Sequence, residues 1–80
     1  MERNLEGKKI AILVADGFEQ VELTAPKEAL ESAGAETVIV SPEKGNVKGW
    51  NHTDWGDDFK VDEELSEADP VMFDALLLPG

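Results

Sequence analysis

The 80-residue sequence contains no cysteine, one histidine and only seven lysine and arginine residues. Without cysteine, the chain can form no disulfide, no thiolate metal site and no cysteine nucleophile of its own. Its eighteen acidic residues give a net charge of −11, whereas phosphate recognition requires clustered lysine and arginine. We therefore expect no nucleic-acid partner.

Targeting and cofactor signals are also missing. The N-terminal residues MERNLEGKK are too charged for a signal peptide, and every apolar run is too short to span a bilayer. Gly17 stands alone rather than in a phosphate-binding loop, and no serine lies in a nucleophile-elbow pattern. We expect a cytoplasmic protein with no membrane association, no metal and no cofactor.

Three apolar runs dominate what is present, in a chain that is 41% hydrophobic. The runs at 8–15, 36–42 and 73–80 are rich in isoleucine, leucine and valine and do not alternate with polar residues. Because parallel strands are covered on both faces, such runs predict the buried strands of a parallel sheet. The length and composition predict one small globular domain.

The segment 19–33, between the first two runs, is predicted to be helical. Gly34 is placed as its C-terminal cap, and Pro26 marks either the start of the helix or a kink within it. Lys27 and Glu31 form an i,i+4 pair on the side away from an apolar stripe, which we expect to face the sheet. The stripe consists of Val21, Ala25, Ala29 or Leu30, and Ala33.

The middle of the chain changes character between the second and third runs. Residues 43–58 are rich in glycine, asparagine, aspartate and tryptophan, which predicts a hairpin with turns near 45–46 and 56–57. The alternating FKVD that follows predicts a short strand. The predicted hairpin insert therefore spans about 43–62.

A brief acidic helix at 63–69, ended by Pro70, is expected before the third run. The element order is then β-α-β, a hairpin and β, which is typical of the first half of a doubly wound α/β sheet. The sheet stops just after a strand that has the sequence of a central one, and this would leave an apolar edge. We expect the 80 residues to be part of a longer protein or to pair with another chain.

Two glutamates, Glu19 and Glu22, follow the first strand in VADGFEQVEL. Ligands of open α/β sheets bind beyond the carboxyl ends of the strands, where these glutamates are expected to lie. A carboxyl group there can hydrogen-bond a nucleophile or transfer a proton. It can equally do no more than stabilise the positive end of the helix. The spacing leaves both interpretations open.

The segment WNHTDWGDD contains the only histidine and both tryptophans. It has side chains of metal-ligating types, but no paired-histidine spacing supports a metal site. We favour an ordered loop that buries Trp50 and Trp55 against the sheet or a partner subunit. The side chains of metal-ligating types are His52, Asp54, Asp57 and Asp58.

From residue 8 to residue 80 the chain resembles the DJ-1/PfpI superfamily. The resemblance rests on KKIAILVADGFEQVELTAPKEALESAGAETVIVSP, on FDALLLPG and, for the PfpI-like branch, on GWNHTDWGDDFKVD. The superfamily includes intracellular cysteine peptidases or amidases and stress proteins described as deglycases or glyoxalases. It implies a flavodoxin-like α/β fold with flanking helices and a small hairpin insert, usually in a homodimer. This chain corresponds to its N-terminal half.

The resemblance also implies catalytic roles for Glu22 and Gly80. Glu22 matches a glutamate that hydrogen-bonds the cysteine nucleophile, and Gly80 matches the first glycine of a pair whose N–H groups help to form an oxyanion hole. Glu19 matches an acid with a structural or subunit-contact role. The cysteine, the histidine that follows it and the second glycine belong downstream, so His52 is not the family histidine.

The leading functional hypothesis is the N-terminal part of a cysteine-dependent hydrolase or deglycase that acts on a peptide or small-molecule substrate. It predicts a cysteine soon after Gly80 in the parent gene and an inactive 80-residue chain. A second hypothesis is a non-catalytic module that associates through its sheet edge, which predicts oligomers of the isolated chain. A third is a flavodoxin-like module that binds a small ligand, which the missing phosphate loop disfavours.

Overall fold

The computed structural model describes residues 4–79. This part of the chain forms a four-stranded parallel sheet, one α-helix and a three-stranded mixed sheet. In chain order the elements are β1 (Lys9–Leu13), β2 (Phe18–Glu19), α1 (Val21–Ser32), β3 (Glu36–Ser41), β4 (Asn46–Asn51), β5 (Asp54–Lys60), β6 (Glu63–Glu64) and β7 (Ala75–Leu77). Two 3₁₀ turns, Leu65–Glu67 and Pro70–Met72, precede β7.

The parallel sheet has the strand order β6-β3-β1-β7, so that β1 lies between β3 and β7. Ala11 of β1 pairs with Val38 on one side and with Leu76 on the other. The Asp74 carboxylate accepts a 2.8 Å hydrogen bond from the Lys9 N–H, which fixes the start of β7 against β1. The three apolar runs therefore form the parallel sheet that they predict.

Helix α1 packs on one face of this sheet, but only partly with the predicted stripe. Leu23 is fully buried and Leu30 half-buried, whereas Val21, Ala25 and Ala29 are exposed. Leu23 and Leu30 are seven residues apart and lie on the same side of a helix. Burying leucine also removes more apolar area from water than burying alanine. The prediction is therefore wrong for Val21, Ala25 and Ala29, whereas Leu30, its alternative member, is partly buried. Helix α1 begins two residues later than expected.

Other features of α1 follow the sequence pattern. Lys27 Nζ lies 2.8 Å from Glu31 Oε2, as the i,i+4 spacing predicts. Pro26 lies inside α1, which excludes the alternative in which the helix starts there. Gly34 follows the helix at φ 102°, a left-handed conformation that favours glycine at the end of a helix. No helix within residues 4–79 is long and apolar enough to cross a membrane.

The main core lies between α1, the parallel sheet and the hairpin. Ile12, Leu23 and Val47 come from these three parts and are almost inaccessible to solvent. The rings of Phe18 and Phe59 lie 5.7 Å apart at the same place. The hairpin is thus an integral part of the core rather than a loose excursion. The other buried members of this cluster are Val14, Ile39 and Val61.

Strands β4 and β5 form the expected hairpin, but one predicted turn is wrong. The hairpin turns at His52-Thr53, where His52 has φ 58°. Residues 56–57, which were expected to turn, lie inside β5. The sequence also gave no sign of β2, which pairs in parallel with Gly49 and Trp50 of β4.

The segment before β7 differs from the prediction. The expected acidic helix at 63–69 is the short strand β6 followed by a 3₁₀ turn, and Pro70 begins a second turn. Proline suits that first position because no N–H is needed there. The third strand is shorter than predicted and is not buried, since Leu76 is 60% exposed. Among the described strands β7 has a neighbour on one side only.

Candidate functional site at the carboxyl edge of the sheet

A crevice lies where the carboxyl ends of β1, β3 and β7 meet. Since β3 and β7 flank β1 on opposite sides, the strand order reverses there, and ligands of open α/β sheets bind at such a reversal. The crevice measures about 300 Å³, and its lining is apolar throughout. Its lining side chains include Val14, Pro42, Leu78 and Pro79. Acid–base chemistry here therefore depends on groups at the rim or outside the described residues.

Glu22 lies in the first turn of α1, the helix that connects β1 and β2 to β3. Because β1 and β3 are parallel, this helix starts toward the carboxyl edge of the sheet. The crevice itself is lined by other residues. The Glu22 side chain is exposed. The N–H groups at the start of a helix carry partial positive charge, which stabilises an anion. The Glu22 carboxyl group can hydrogen-bond a group that is brought to this edge. Gly80, the other predicted catalytic residue, lies outside the described residues, and Pro79 before it lines the crevice.

Glu19 faces a different part of the molecule. Its backbone pairs with β4, and its Oε2 atom lies 3.9 Å from Nδ1 of His52 at the tip of the hairpin. The Glu19 side chain is mostly buried, whereas that of His52 is 77% exposed. The structure therefore brings Glu19 together with the hairpin.

The two tryptophans of the hairpin pack on each other, and two of its aspartates contact Gln20 and Lys48. Trp55 is 57% exposed, so it is not buried against the sheet, and its burial against a partner subunit stays a prediction. It packs edge-to-face on Trp50 with the ring centroids 5.2 Å apart. Asp57 bonds Gln20, and Asp58 lies 3.8 Å from Lys48 Nζ. Within residues 4–79 no three His, Cys, Asp or Glu side chains lie close enough to hold a metal ion.

Sequence reasoning missed Gln20, which joins the start of α1 to the hairpin. Its Oε1 atom accepts the Asp57 N–H at 2.8 Å, and its Nε2 donates to the Asp57 carboxylate at 3.1 Å. A signal was present, because glycine inside a strand often marks a close approach. A Cβ atom at Gly56 would overlap Gln20 Oε1, and one at Gly49 would press on the same side chain.

An apolar crevice at the reversal of a parallel sheet, with a carboxyl group at the adjacent helix start, defines an α/β protein of the flavodoxin-like class. The chain belongs to the DJ-1/PfpI family, whose model matches residues 8–80. The resemblance drawn from the sequence is thereby confirmed, together with the fold that it implies.

Similar proteins are longer than this chain. A Staphylococcus epidermidis protein, named "Uncharacterized protein SERP1413", is 45% identical over 73 residues, which are 91% of this chain and 41% of that protein. A Bacillus subtilis protein, named "Putative cysteine protease YraA", is 44% identical with the same coverage. The chain spans about two fifths of the length of these curated relatives.

Solved structures show the same relation. The DJ-1 superfamily protein Atu0886 of Agrobacterium tumefaciens matches with a TM-score of 0.77 and 31% identity, over 91% of this chain and 37% of that one. An Anabaena variabilis protein with DJ-1/ThiJ/PfpI-like and ferritin-like domains matches with a TM-score of 0.80 and 31% identity, over 91% of this chain and 20% of that one. These similarities support the fold and the family.

Proposed function

We propose that the chain is the N-terminal part of a cysteine-dependent hydrolase of the PfpI-like branch. The parent protein would be an intracellular protease or amidase, or a deglycase of glyoxal adducts in stress protection. The observation that carries the proposal is the position of Glu22 in the first turn of α1, the first helix after the central strand β1. Family membership and the similarity to YraA support it.

In this proposal Glu22 hydrogen-bonds a cysteine that lies outside the 80 residues. The thiolate is the nucleophile, and a carboxyl group that shares its proton with the thiolate stabilises it. The backbone N–H of Gly80 contributes to an oxyanion hole. Glu19 has no catalytic part, which agrees with its contact to the hairpin.

A chimera provides the missing thiol for a test. The 73 residues of YraA that match this chain are replaced by the corresponding residues of this chain, and the rest of YraA is kept. The rate of alkylation by iodoacetamide is then measured against pH. Glu22→Gln is expected to raise the thiol pKa by about one unit, since about 1.4 kcal/mol of hydrogen bonding to the thiolate corresponds to one pKa unit.

Glu19→Gln is the matched control, because it removes a carboxylate three residues away that faces the hairpin. We expect it to leave the alkylation midpoint in place and to change stability or assembly. An unchanged midpoint in Glu22→Gln, with the chimera folded and its thiol reactive, would contradict the proposed role of Glu22.

A second candidate function is association of the chain through its open sheet edge. The observation that favours it is the exposure of large apolar side chains on and around β7. Val71 is 84% exposed, and an exposed apolar surface next to an unpaired strand edge promotes association. Met72, Leu76 and Leu78 are exposed on the same segment. A homo-oligomer in the cytoplasm is the form that we propose for such an assembly.

Light scattering of the 80-residue chain tests this second candidate. If the edge mediates association, Leu76→Asp should shift the chain toward monomer, because a charge on the edge strand opposes pairing. Val21→Asp is the control, since Val21 is also exposed but lies on α1. A chain that is already monomeric at high concentration would contradict association through the edge.

A further inference from the structure

Gln20 connects two parts of the molecule that are far apart in sequence, the start of α1 and the hairpin. It immediately precedes α1, and its carbonyl oxygen accepts the N–H groups of Leu23 and Thr24 at 3.0 Å each. Its own backbone N–H donates to the Trp50 carbonyl in β4 at 2.8 Å, and its side chain bonds Asp57 in β5 twice. One residue thus attaches the first turn of α1 to both strands of the hairpin.

The hairpin has space for the Gln20 side chain because two strand positions lack a Cβ atom. A Cβ at Gly56 would overlap Oε1 of Gln20, and a Cβ at Gly49 would lie 3.1 Å from the Gln20 Cβ. Neither glycine has a positive φ, so the backbone conformation does not require glycine at either position. The space that Gln20 occupies accounts for both.

We propose that Gln20 is a positioning residue for Glu22, an inference that rests on the proposed role of Glu22. Glu22 lies two residues further on, in the first turn of α1. The direction of a helical side chain follows from the backbone that carries it. A first turn held against the hairpin therefore fixes the direction in which the Glu22 side chain leaves α1 and so restricts its rotamers. Without the amide of Gln20, only the backbone bond to Trp50 attaches this residue to the hairpin.

The first measurement uses NMR on the 80-residue chain. Three-bond couplings report the χ1 populations of Glu22, and amide exchange reports the protection of the Asp57 N–H. Gln20→Ala is expected to average the Glu22 couplings and to speed exchange at Asp57 roughly five-fold, the effect of one lost hydrogen bond. Asp16→Ala is the control, because it removes the 2.8 Å bond from the Lys48 N–H without altering the residues of α1. It should leave the Glu22 couplings unchanged.

Gly56→Ala is a second variant that keeps Gln20 but excludes its side chain from the hairpin. It should change the Glu22 couplings in the same way as Gln20→Ala, and Gly49→Ala should do so more weakly, since its contact is less severe. Unchanged Glu22 couplings in both Gln20→Ala and Gly56→Ala, in chains that remain folded, would overturn the positioning role.

The second measurement uses the chimera with YraA and separates this inference from the proposed function. Gln20→Ala should move the alkylation midpoint in the same direction as Glu22→Gln and add nothing in the double variant. A midpoint that responds to Glu22→Gln but not to Gln20→Ala, with only thermal stability lowered, would overturn the positioning role. If the alkylation midpoint is unchanged in Glu22→Gln, but Gln20→Ala still averages the Glu22 couplings, only the catalytic role of Glu22 is overturned.

Discussion

The two faces of the parallel sheet differ in how far the chain covers them. On one face, α1 and the hairpin enclose Ile12, Leu23 and Val47 almost completely. On the other face, the chain around the two 3₁₀ turns covers Ala11 and Val40 but leaves an apolar groove of about 210 Å³. The adjoining β7 is exposed. Parallel sheets are normally covered on both faces. This chain closes one face and covers the other, the open face, only over β1 and β3.

This difference separates the part of the fold that forms a closed core from the part that leaves apolar side chains exposed. The closed face combines residues from α1, the sheet and the hairpin in one cluster. The open face carries the apolar groove and the strand edge. Because the relatives are longer, we propose that their additional length covers this open face.

Substitution of one leucine on each face should give the largest difference in the free energy of unfolding. Leu23→Ala should lower the free energy of unfolding by about 3 kcal/mol, because the removed methyl groups leave a cavity in a closed core. Leu76→Ala should change it by less than about 0.5 kcal/mol, because Leu76 is exposed. Urea unfolding of both variants measures the difference. Equal losses would contradict the distinction between a closed and an open face.

A smaller effect concerns Glu31, which links α1 to β3 at the border of the closed face. The Glu31 carboxylate accepts one hydrogen bond from Lys27 at 2.8 Å and another from the Thr37 hydroxyl at 2.5 Å. The hydrogen bonds from Lys27 and Thr37 lower the pKa of Glu31, although partial burial opposes them. The carboxylate therefore stabilises the fold above the unfolded-state pKa of about 4.3. This stability is lost as the pH falls through the lower folded-state pKa.

Acid unfolding of Glu31→Gln tests this contribution. The variant should lose a small part of the pH dependence of stability below about pH 4.3, where the unfolded state begins to bind the proton. The effect is small because nearly half of the Glu31 side chain is exposed, and solvent screens its ion pair. Thr37→Val should reproduce part of it. Identical acid transitions in the wild-type chain and Glu31→Gln would show that the pair contributes nothing.

The parallel sheet was predictable because its signal is continuous and local. The runs that form β1 and β3 do not alternate between apolar and polar residues, because these strands are buried on both faces of the sheet. The side of α1 that faces the core was not predictable in the same way. Two apolar stripes compete on the helix, and the stripe with the larger side chains, Leu23 and Leu30, packs on the sheet.

Features that depend on distant residues could not be found from local patterns. Gly56 and Asp57 have the composition of a turn, but Gly56 makes space for Gln20 and Asp57 bonds it across 36 intervening residues. The hairpin turns instead at His52. Of the two predicted catalytic residues, Glu22 lies in the first turn of α1, and its role stays a prediction. Gly80 lies outside the described residues, and its role stays a prediction as well.

The pH dependence of thiol alkylation in the chimera tests directly whether Glu22 stabilises the thiolate. We predict a reactive thiol whose pKa rises by about one unit in Glu22→Gln and stays in place in Glu19→Gln. This prediction would be contradicted by a folded chimera with a reactive thiol whose pKa is the same with glutamate or glutamine at position 22.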